Sequence, residues 1–254
     1  MSAKPPTDRS HVRKSWLDIL AVTTWGILLL KYAIDGTLYI LIHPSYYLLV
    51  TVTGICLLAI GLLQSWRLFR GRIATTTEQH SSLLPSGAAS MLLLGTAIAG
   101  LIITPKLFTS NAAVQRGVSA EAVTVTRSQT QSFKTNIKPE SRTLVDWKRT
   151  LANYPEPDAY LGQTANINGF VIYPKELPAN YLLLSRFVIT CCAADAYPIS
   201  IPVKFTGDRQ TYPQDSWLQV KGKASVETIS GTRQLVIAAT DLKPIAVPKN
   251  PYQE

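Results

Sequence analysis

The sequence predicts a membrane-anchored α plus β protein: three N-terminal transmembrane helices followed by a small five-stranded β-barrel domain. Two observations predict this class. Long apolar runs are confined to the first 105 residues, and short segments with strand-like alternation fill the second half. The composition agrees, because 46% of the 254 residues are hydrophobic and only 16% are charged, against about 25% charged residues in soluble chains.

The first apolar run, Leu17–Ile34, follows a polar and basic tail of residues 1–15. A cleaved signal peptide is the competing interpretation, because basic residues precede an apolar core there too. The run is longer than such a core, and no small-residue cleavage site follows it in residues 32–39. We therefore interpret residues 17–34 as the first span of a transmembrane region that covers residues 16–105.

The second and third spans are predicted at residues 46–66 and 83–105. Both runs lack formal charge, and each is long enough to cross a hydrocarbon layer of about 30 Å at about 1.5 Å per residue. Small residues recur along the third run at close to helical spacing, which in lipid allows another helix to approach closely. Glycine is also common in membrane helices in general. This stripe of small residues therefore either forms a packing face or merely reflects the usual composition of such helices. The stripe consists of Gly87, Ala88, Gly95, Ala99 and Gly100.

The cations in short loops predict the orientation. Four basic residues precede the first span, and Arg67, Arg70 and Arg72 lie between the second and the third. The positive-inside rule then places the N-terminal tail and the 67–82 loop in the cytoplasm. Three spans put everything after Pro105 on the outer side of the cell membrane. We therefore expect a multi-pass membrane protein with the lipid bilayer as a partner and without a nucleic-acid partner.

Residues 106–140 are predicted to be a linker, and residues 141–254 the extracytoplasmic β-domain. This domain opens with a short amphipathic helix, Thr143–Asn153, in which Thr143 and Asp146 have capping-box spacing. Five strands with a bent first strand are typical of a small closed or partly open barrel, and Gly169 offers the place to bend. The predicted strands are Tyr160–Tyr173, Tyr181–Thr190, Ile199–Phe205, Trp217–Val226 and Gln234–Thr240.

The chemistry of the chain is concentrated in one segment, RFVITCCAADAYPISIPV, which runs from Arg186 to Val203. It holds two adjacent cysteines, Cys191 and Cys192, followed by the carboxylate of Asp195. Thiolates favour soft ions such as copper and zinc, and Asp195 could supply a third ligand or a supporting hydrogen bond. The domain has no histidine, and structural zinc needs four ligands, so we expect a labile metal site at most.

Besides metal binding, a redox role and a packing role stay open for the cysteine pair. The outer side of a bacterial membrane favours disulfides, and adjacent cysteines close only a strained ring that is easily reduced. Cysteine is also among the most buried residue types, so either thiol could simply fill the core. The remaining cysteine, Cys56, lies in the second apolar run and is most simply a packing residue.

Arg186 lies within an apolar strand. A buried cation needs a partner, so we predict a structural ion pair between Arg186 and Asp195. The sequence holds no nucleophile–base arrangement, phosphate-binding glycine loop or paired acid and base carboxylates. We therefore do not expect an enzyme, with thiol redox chemistry as the one enzymatic alternative.

Four further stretches are distinctive: ITPKLFTSNAAVQRG, GQTANINGFVIY, RFVITCCAADA and WLQVKGKASVE. Together with the three predicted spans, they resemble the YcgQ-type membrane proteins, a family described as subunits of a two-component permease. The resemblance implies an OB-type barrel at the C-terminus and a larger polytopic permease as partner. Related permeases have been linked to efflux of soft metals or metalloids. The chain departs from many OB-folds in having only a short polar link, Gly207–Asp215, between strands three and four.

These observations lead to one hypothesis and two alternatives. The hypothesis is an accessory membrane subunit of a two-component permease, whose external β-domain caps or assists transport while Cys191 and Cys192 contact a soft ion. One alternative is a membrane-tethered thiol redox protein. The other is a purely structural interaction module in which the cysteines contribute only to stability.

Overall fold

The computed structural model describes residues 9–70, 87–118 and 138–253. The chain divides into two units, Met1–Lys106 and Leu107–Glu254. The first unit is helical, and the second combines a β-sheet with two short helices.

The described residues of the first unit, 9–70 and 87–106, form three α-helices: α1 Arg9–Ile34, α2 Tyr47–Phe69 and α3 Ala88–Ile102. Within the part of the chain that the structure describes, two stretches are long and apolar enough to cross a membrane, Ser15–Ile34 with 20 residues and Pro44–Phe69 with 26. Pro44 opens a single 3-10 turn before α2, which suits its fixed φ angle and missing N–H. Helices of membrane-crossing length therefore stand where the first two spans are predicted.

The third predicted span is not confirmed. Helix α3 has 15 residues, which at about 1.5 Å per residue reach only about 22 Å. Residues 83–86 of the predicted span lie outside the part of the chain that the structure describes. The orientation derived from three spans remains a prediction.

Glycines let the helices of the first unit approach closely, mainly between α1 and α2. A Cβ added at Gly26 would lie 2.9 Å from the Leu58 side chain, and one at Gly54 would lie 3.0 Å from the Leu30 side chain. On the α3 stripe, a Cβ at Gly100 would lie 2.9 Å from Leu28, whereas one at Gly95 would meet no described atom within 4 Å. Close packing thus involves one end of the predicted stripe and not all of it.

The second unit contains helices α4 Ser110–Gln115 and α5 Leu144–Asn153 and a sheet of six strands. All five predicted strands are present, and a short sixth strand follows them. The strands are β1 Thr164–Ile172, β2 Tyr181–Val188, β3 Tyr197–Lys204, β4 Trp217–Ile229, β5 Thr232–Ile245 and β6 Tyr252–Gln253.

The strand pairings form a ring. Strand β1 pairs antiparallel with both β4 and β2, β2 pairs antiparallel with β3, β4 pairs antiparallel with β5, and β3 pairs parallel with β5. Strand β6 adds a short parallel pairing to β2. Along β1, residues 164–170 pair with β4 and residues 170–172 with β2. Gly169 allows this change of partner, because a Cβ there would lie 2.5 Å from the Ser185 carbonyl oxygen.

Helix α5 contributes its apolar face to the core enclosed by the sheet. Leu144 and Trp147 are completely buried there, and Leu151 packs at the margin. The predicted capping box is present: the Asp146 N–H donates to Thr143 Oγ1 over 3.2 Å, and the Thr143 N–H donates to the Asp146 carboxylate over 2.9 Å. The predicted helix and its start are therefore confirmed.

A second core covers the outer face of β2, which is buried along its whole length. Phe187 of β2 contacts Phe108, with ring centroids 5.1 Å apart, and Ala113 of α4 is completely buried. Residues 107–118 therefore belong to the second unit, whereas the sequence places them in a linker. A six-residue helix shows too few turns for its periodicity to be recognised in sequence. Residues 119–137 of the predicted linker lie outside the described residues.

Candidate functional site

The two adjacent cysteines lie in the connection between β2 and β3, which we call the cysteine corner and define as residues Thr190–Ala196. Cys192 has extended backbone, with φ −157° and ψ 172°, and residues 193–195 then form one 3-10 turn. The Asp195 N–H donates to the Cys192 carbonyl oxygen over 3.1 Å and closes that turn. The corner is thus a tight backbone loop at the end of a fully buried strand.

The carboxylate of Asp195 holds the corner together. It accepts hydrogen bonds from the Cys191 N–H over 2.8 Å, from the Thr190 N–H over 3.2 Å, and from the Thr190 hydroxyl. Partial burial opposes ionisation of this carboxyl, but the hydrogen bonds from Thr190 and Cys191 outweigh it and hold its pKa at about 2. Asp195 is therefore ionised at neutral pH.

The turn brings the two thiols together. The sulfur atoms of Cys191 and Cys192 lie 3.5 Å apart, although adjacent residues of a regular strand point to opposite faces. Both are free thiols; Cys191 is exposed and Cys192 is partly exposed. Because Cys191 is exposed, it does not fill the core. Cys56 is also a free and exposed thiol, on α2.

A hydrogen bond to the Asp195 carboxylate keeps the Cys191 thiol protonated. The hydrogen bond to Asp195 and then the contact with Cys192 raise the pKa of Cys191 from its ordinary value of 9.0 to about 11. The thiolate is the nucleophile and the metal-binding form of cysteine. An ion that binds here must therefore displace a proton, which favours strongly thiophilic ions.

The predicted donors Cys191, Cys192 and Asp195 do meet in one turn, but they do not form a three-ligand metal site. Within residues 9–70, 87–118 and 138–253, no group of three or more His, Cys, Asp or Glu side chains is arranged to hold a metal ion. The physical reason is that the Asp195 oxygens are used by the corner's own N–H and O–H groups. The available donor set is the pair of sulfur atoms.

The predicted ion pair between Arg186 and Asp195 is not formed. Arg186 is only 5% exposed, and its guanidinium donates to Asn168 Oδ1 over 2.7 Å and to the carbonyl oxygens of Asn250 and Tyr252 over 2.9 and 3.0 Å. It also lies over the Trp217 ring, 5.1 Å from its centroid. Burial lowers the pKa of Arg186 to about 10, so the group stays charged at neutral pH. Neutral oxygen acceptors therefore stabilise this cation. Asp195 instead accepts hydrogen bonds from Thr190 and Cys191 in the cysteine corner.

Arg116, at the end of α4, is a part of the site that the sequence did not reveal. Its guanidinium donates to the carbonyl oxygens of Ala193, over 3.5 Å, and Ala196, at shorter range. It also lies over the Phe108 ring, 4.4 Å from the centroid. No local pattern marks this residue, because its partners are 77 and 80 positions away.

Comparison with known proteins agrees with the sequence resemblance. The family model described as "DUF1980 C-terminal domain" matches residues 118–253, more than half of the chain. The UPF0703 protein YcgQ of Bacillus subtilis (strain 168) is 30% identical over 105 residues, which are 41% of this chain. The match covers 36% of that relative's length, so the chain corresponds to about a third of it.

Proposed function

The chain belongs to the YcgQ-type family with the DUF1980 C-terminal domain, and from this premise we propose that it is an accessory membrane subunit of a two-component permease. In this proposal the external β-domain assists transport by presenting Cys191 and Cys192 to a soft metal ion. The observation that carries it is the pair of free thiols, Cys191 exposed and Cys192 partly exposed, which lie 3.5 Å apart on an anchored turn.

The spacing of the sulfur atoms suits one shared ion. Two sulfur ligands at about 2.3 Å from a tetrahedral ion stand about 3.8 Å apart, only a few tenths of an ångström more than the observed 3.5 Å. Soft ions such as Cu(I) and Zn(II) prefer sulfur donors. Two protein ligands leave coordination positions open, so the ion can be passed on to a partner.

We also propose that the ring of strand pairings is an OB-like barrel. The order β1–β2–β3–β5–β4 with a parallel β3–β5 pairing supports this arrangement. Between β3 and β4 the chain has only the short 3-10 turn Arg209–Thr211. The link between β3 and β4 therefore lacks the α-helix that many OB-folds have there, as the sequence predicted.

The proposed location is the cell membrane, with the β-domain outside. The two apolar helices of membrane-crossing length support the anchoring, and the basic residues of the 67–82 loop support the orientation. In a Cys56→Ser background, a membrane-impermeant maleimide should label intact cells at Cys191 and Cys192. Labelling only after lysis contradicts the orientation, and a variant without all three cysteines gives the background.

Metal binding is tested on the full chain in detergent micelles. Cu(I), titrated against a chromogenic chelator, should bind at about one equivalent per chain to the Cys56→Ser variant. The variant that also carries Cys191→Ser and Cys192→Ser should lose this binding, because no other sulfur atom remains except in methionine. Equal binding by both variants refutes the proposed ligands.

The permease part of the proposal is tested by purifying the tagged chain from membranes. If no polytopic membrane protein co-purifies with it, this part of the proposal is contradicted.

The redox alternative is less well supported. A pKa of about 11 leaves Cys191 almost entirely protonated at neutral pH, and the protonated thiol is not a nucleophile. A mixed disulfide trapped at Cys191 or Cys192 would favour the redox function.

The purely structural alternative makes a different prediction. The variant with Cys191→Ser and Cys192→Ser should then be less stable, while the metal tolerance of the cells stays unchanged.

A further inference from the structure

Helix α4 is attached at its first residue to the link that precedes β4. The Ser110 N–H donates to the Asp215 carboxylate over 2.6 Å, and the Gln214 side chain donates to the Ser110 hydroxyl over 2.6 Å. Asp215 has a positive φ of 66°, which directs the chain out of the preceding turn. With Ala113 completely buried, this end of α4 has a defined position on the second core.

The other end of α4 is attached to the cysteine corner. The Arg116 guanidinium donates to the carbonyl oxygens of Ala193 and Ala196, and these two residues also bond to each other, from the Ala196 N–H to the Ala193 oxygen over 3.4 Å. One side chain therefore holds both ends of the turn that follows Cys192. Because Arg116 also lies over Phe108, it is fixed from the α4 side as well.

A change at the thiols must reach these carbonyl groups. Ala193 directly follows Cys192, and the corner has only seven residues, so its backbone has little freedom to absorb a movement of the sulfur atoms. One tetrahedral ion bound by both sulfur atoms has to separate them from 3.5 Å to about 3.8 Å. This movement alters the turn that Arg116 holds.

We infer that Arg116 is a positioning residue that couples ligand binding at Cys191 and Cys192 to helix α4. The inference rests on the proposed function, since it requires the thiol pair to bind a ligand. Helix α4 begins at Ser110, four residues after the helical unit ends at Lys106. Occupancy of the corner is thereby communicated to the segment of chain nearest in sequence to the membrane helices.

The test uses the full chain in detergent micelles, in a Cys56→Ser background, with phenylarsine oxide as the probe. Two thiols give their protons to the oxide oxygen, which leaves as water, and two As–S bonds form. Mass spectrometry counts the adduct, and hydrogen exchange follows the amides of residues 110–118. Arg116→Gln is the test variant, and Arg149→Gln, an exposed arginine on α5, is the matched control.

Binding of phenylarsine oxide should speed amide hydrogen exchange in residues 110–118 by about two- to tenfold, both in the parent chain and in Arg149→Gln. This range corresponds to the loss of one net hydrogen bond. In Arg116→Gln the exchange should be fast from the start and unchanged by loading. Unchanged exchange in a loaded parent chain, or an equal response in Arg116→Gln, overturns the coupling while the proposed ligand site stands. No adduct on the parent chain overturns the proposed site itself.

Discussion

Replacing Trp147 with alanine should lower the free energy of unfolding of the β-unit by about 3–5 kcal/mol, the usual cost of removing a buried tryptophan. Trp147 is completely buried, and its ring meets the edge of Tyr160 with centroids 6.2 Å apart. Within the described residues its indole N–H has no hydrogen-bond partner. The loss therefore comes from removed apolar contacts and from the cavity that remains.

Pulse proteolysis in urea measures this loss on the full chain, because cleavage of the β-unit reports its unfolded fraction. The matched control is Tyr154→Ala, at the end of the same helix, whose side chain is 61% exposed. This change should stay within about 0.5 kcal/mol. A loss below about 1 kcal/mol for the Trp147 variant would mean that α5 is not part of the core.

Replacing Asp195 with asparagine should make Cys191 react faster with a disulfide reagent at neutral pH, by up to about tenfold. Without the negative charge, the pKa of Cys191 should fall from about 11 towards its ordinary 9.0. A fall of two pKa units raises the thiolate fraction about 100-fold, but each thiolate becomes about eightfold less nucleophilic, since nucleophilicity falls with pKa. The product of the two effects, about tenfold, is the upper limit of the gain, because Cys192 causes a part of the shift and is absent from the single-cysteine variant.

The measurement is the pH dependence of the reaction with dithiobis(nitrobenzoate) in a variant that keeps Cys191 as its single cysteine. The midpoint should move to lower pH in Asp195→Asn and stay in place in Asp208→Asn, where the carboxylate caps a different turn. The same midpoint in both variants would show that Asp195 does not control the thiol.

Acid should also destabilise the cysteine corner. The pKa of Asp195 is about 2 in the folded protein, below the ordinary value of 3.8. The stability that the ionised carboxylate contributes is therefore present above pH 3.8 and is lost as the pH falls towards 2.

Local patterns were sufficient for much of the fold. The lengths of the apolar runs predicted α1 and α2, alternation predicted five strands, and the Thr143–Asp146 spacing predicted the start of α5. These signals depend on neighbours within a few positions of each other. Helix α4 and strand β6 could not be found in this way, because each is short and is defined by contacts with distant residues, such as the bond between Ser110 and Asp215, 105 positions apart.

The candidate site shows the same division. The sequence marked Cys191, Cys192 and Asp195 as one site because they lie within five residues, but it predicted Asp195 as a metal ligand or as the partner of Arg186. Its observed role, accepting hydrogen bonds from Thr190 and Cys191, was not predicted. The partner of Arg186 was predicted wrongly, since opposite charge and closeness in sequence suggested Asp195. The actual partners include main-chain oxygens 64 and 66 positions further along, and every residue type carries such an oxygen.

The position of these oxygens also determines when the β-unit can finish folding during synthesis. The buried Arg186 obtains two of its three acceptors only after residues 250–252 have been made. Until then Arg186 lacks these two acceptors, and β2 lacks its pairing with β6. Incompletely folded chains that expose apolar surface are prone to aggregate, and such surface remains on β2 until β6 covers it.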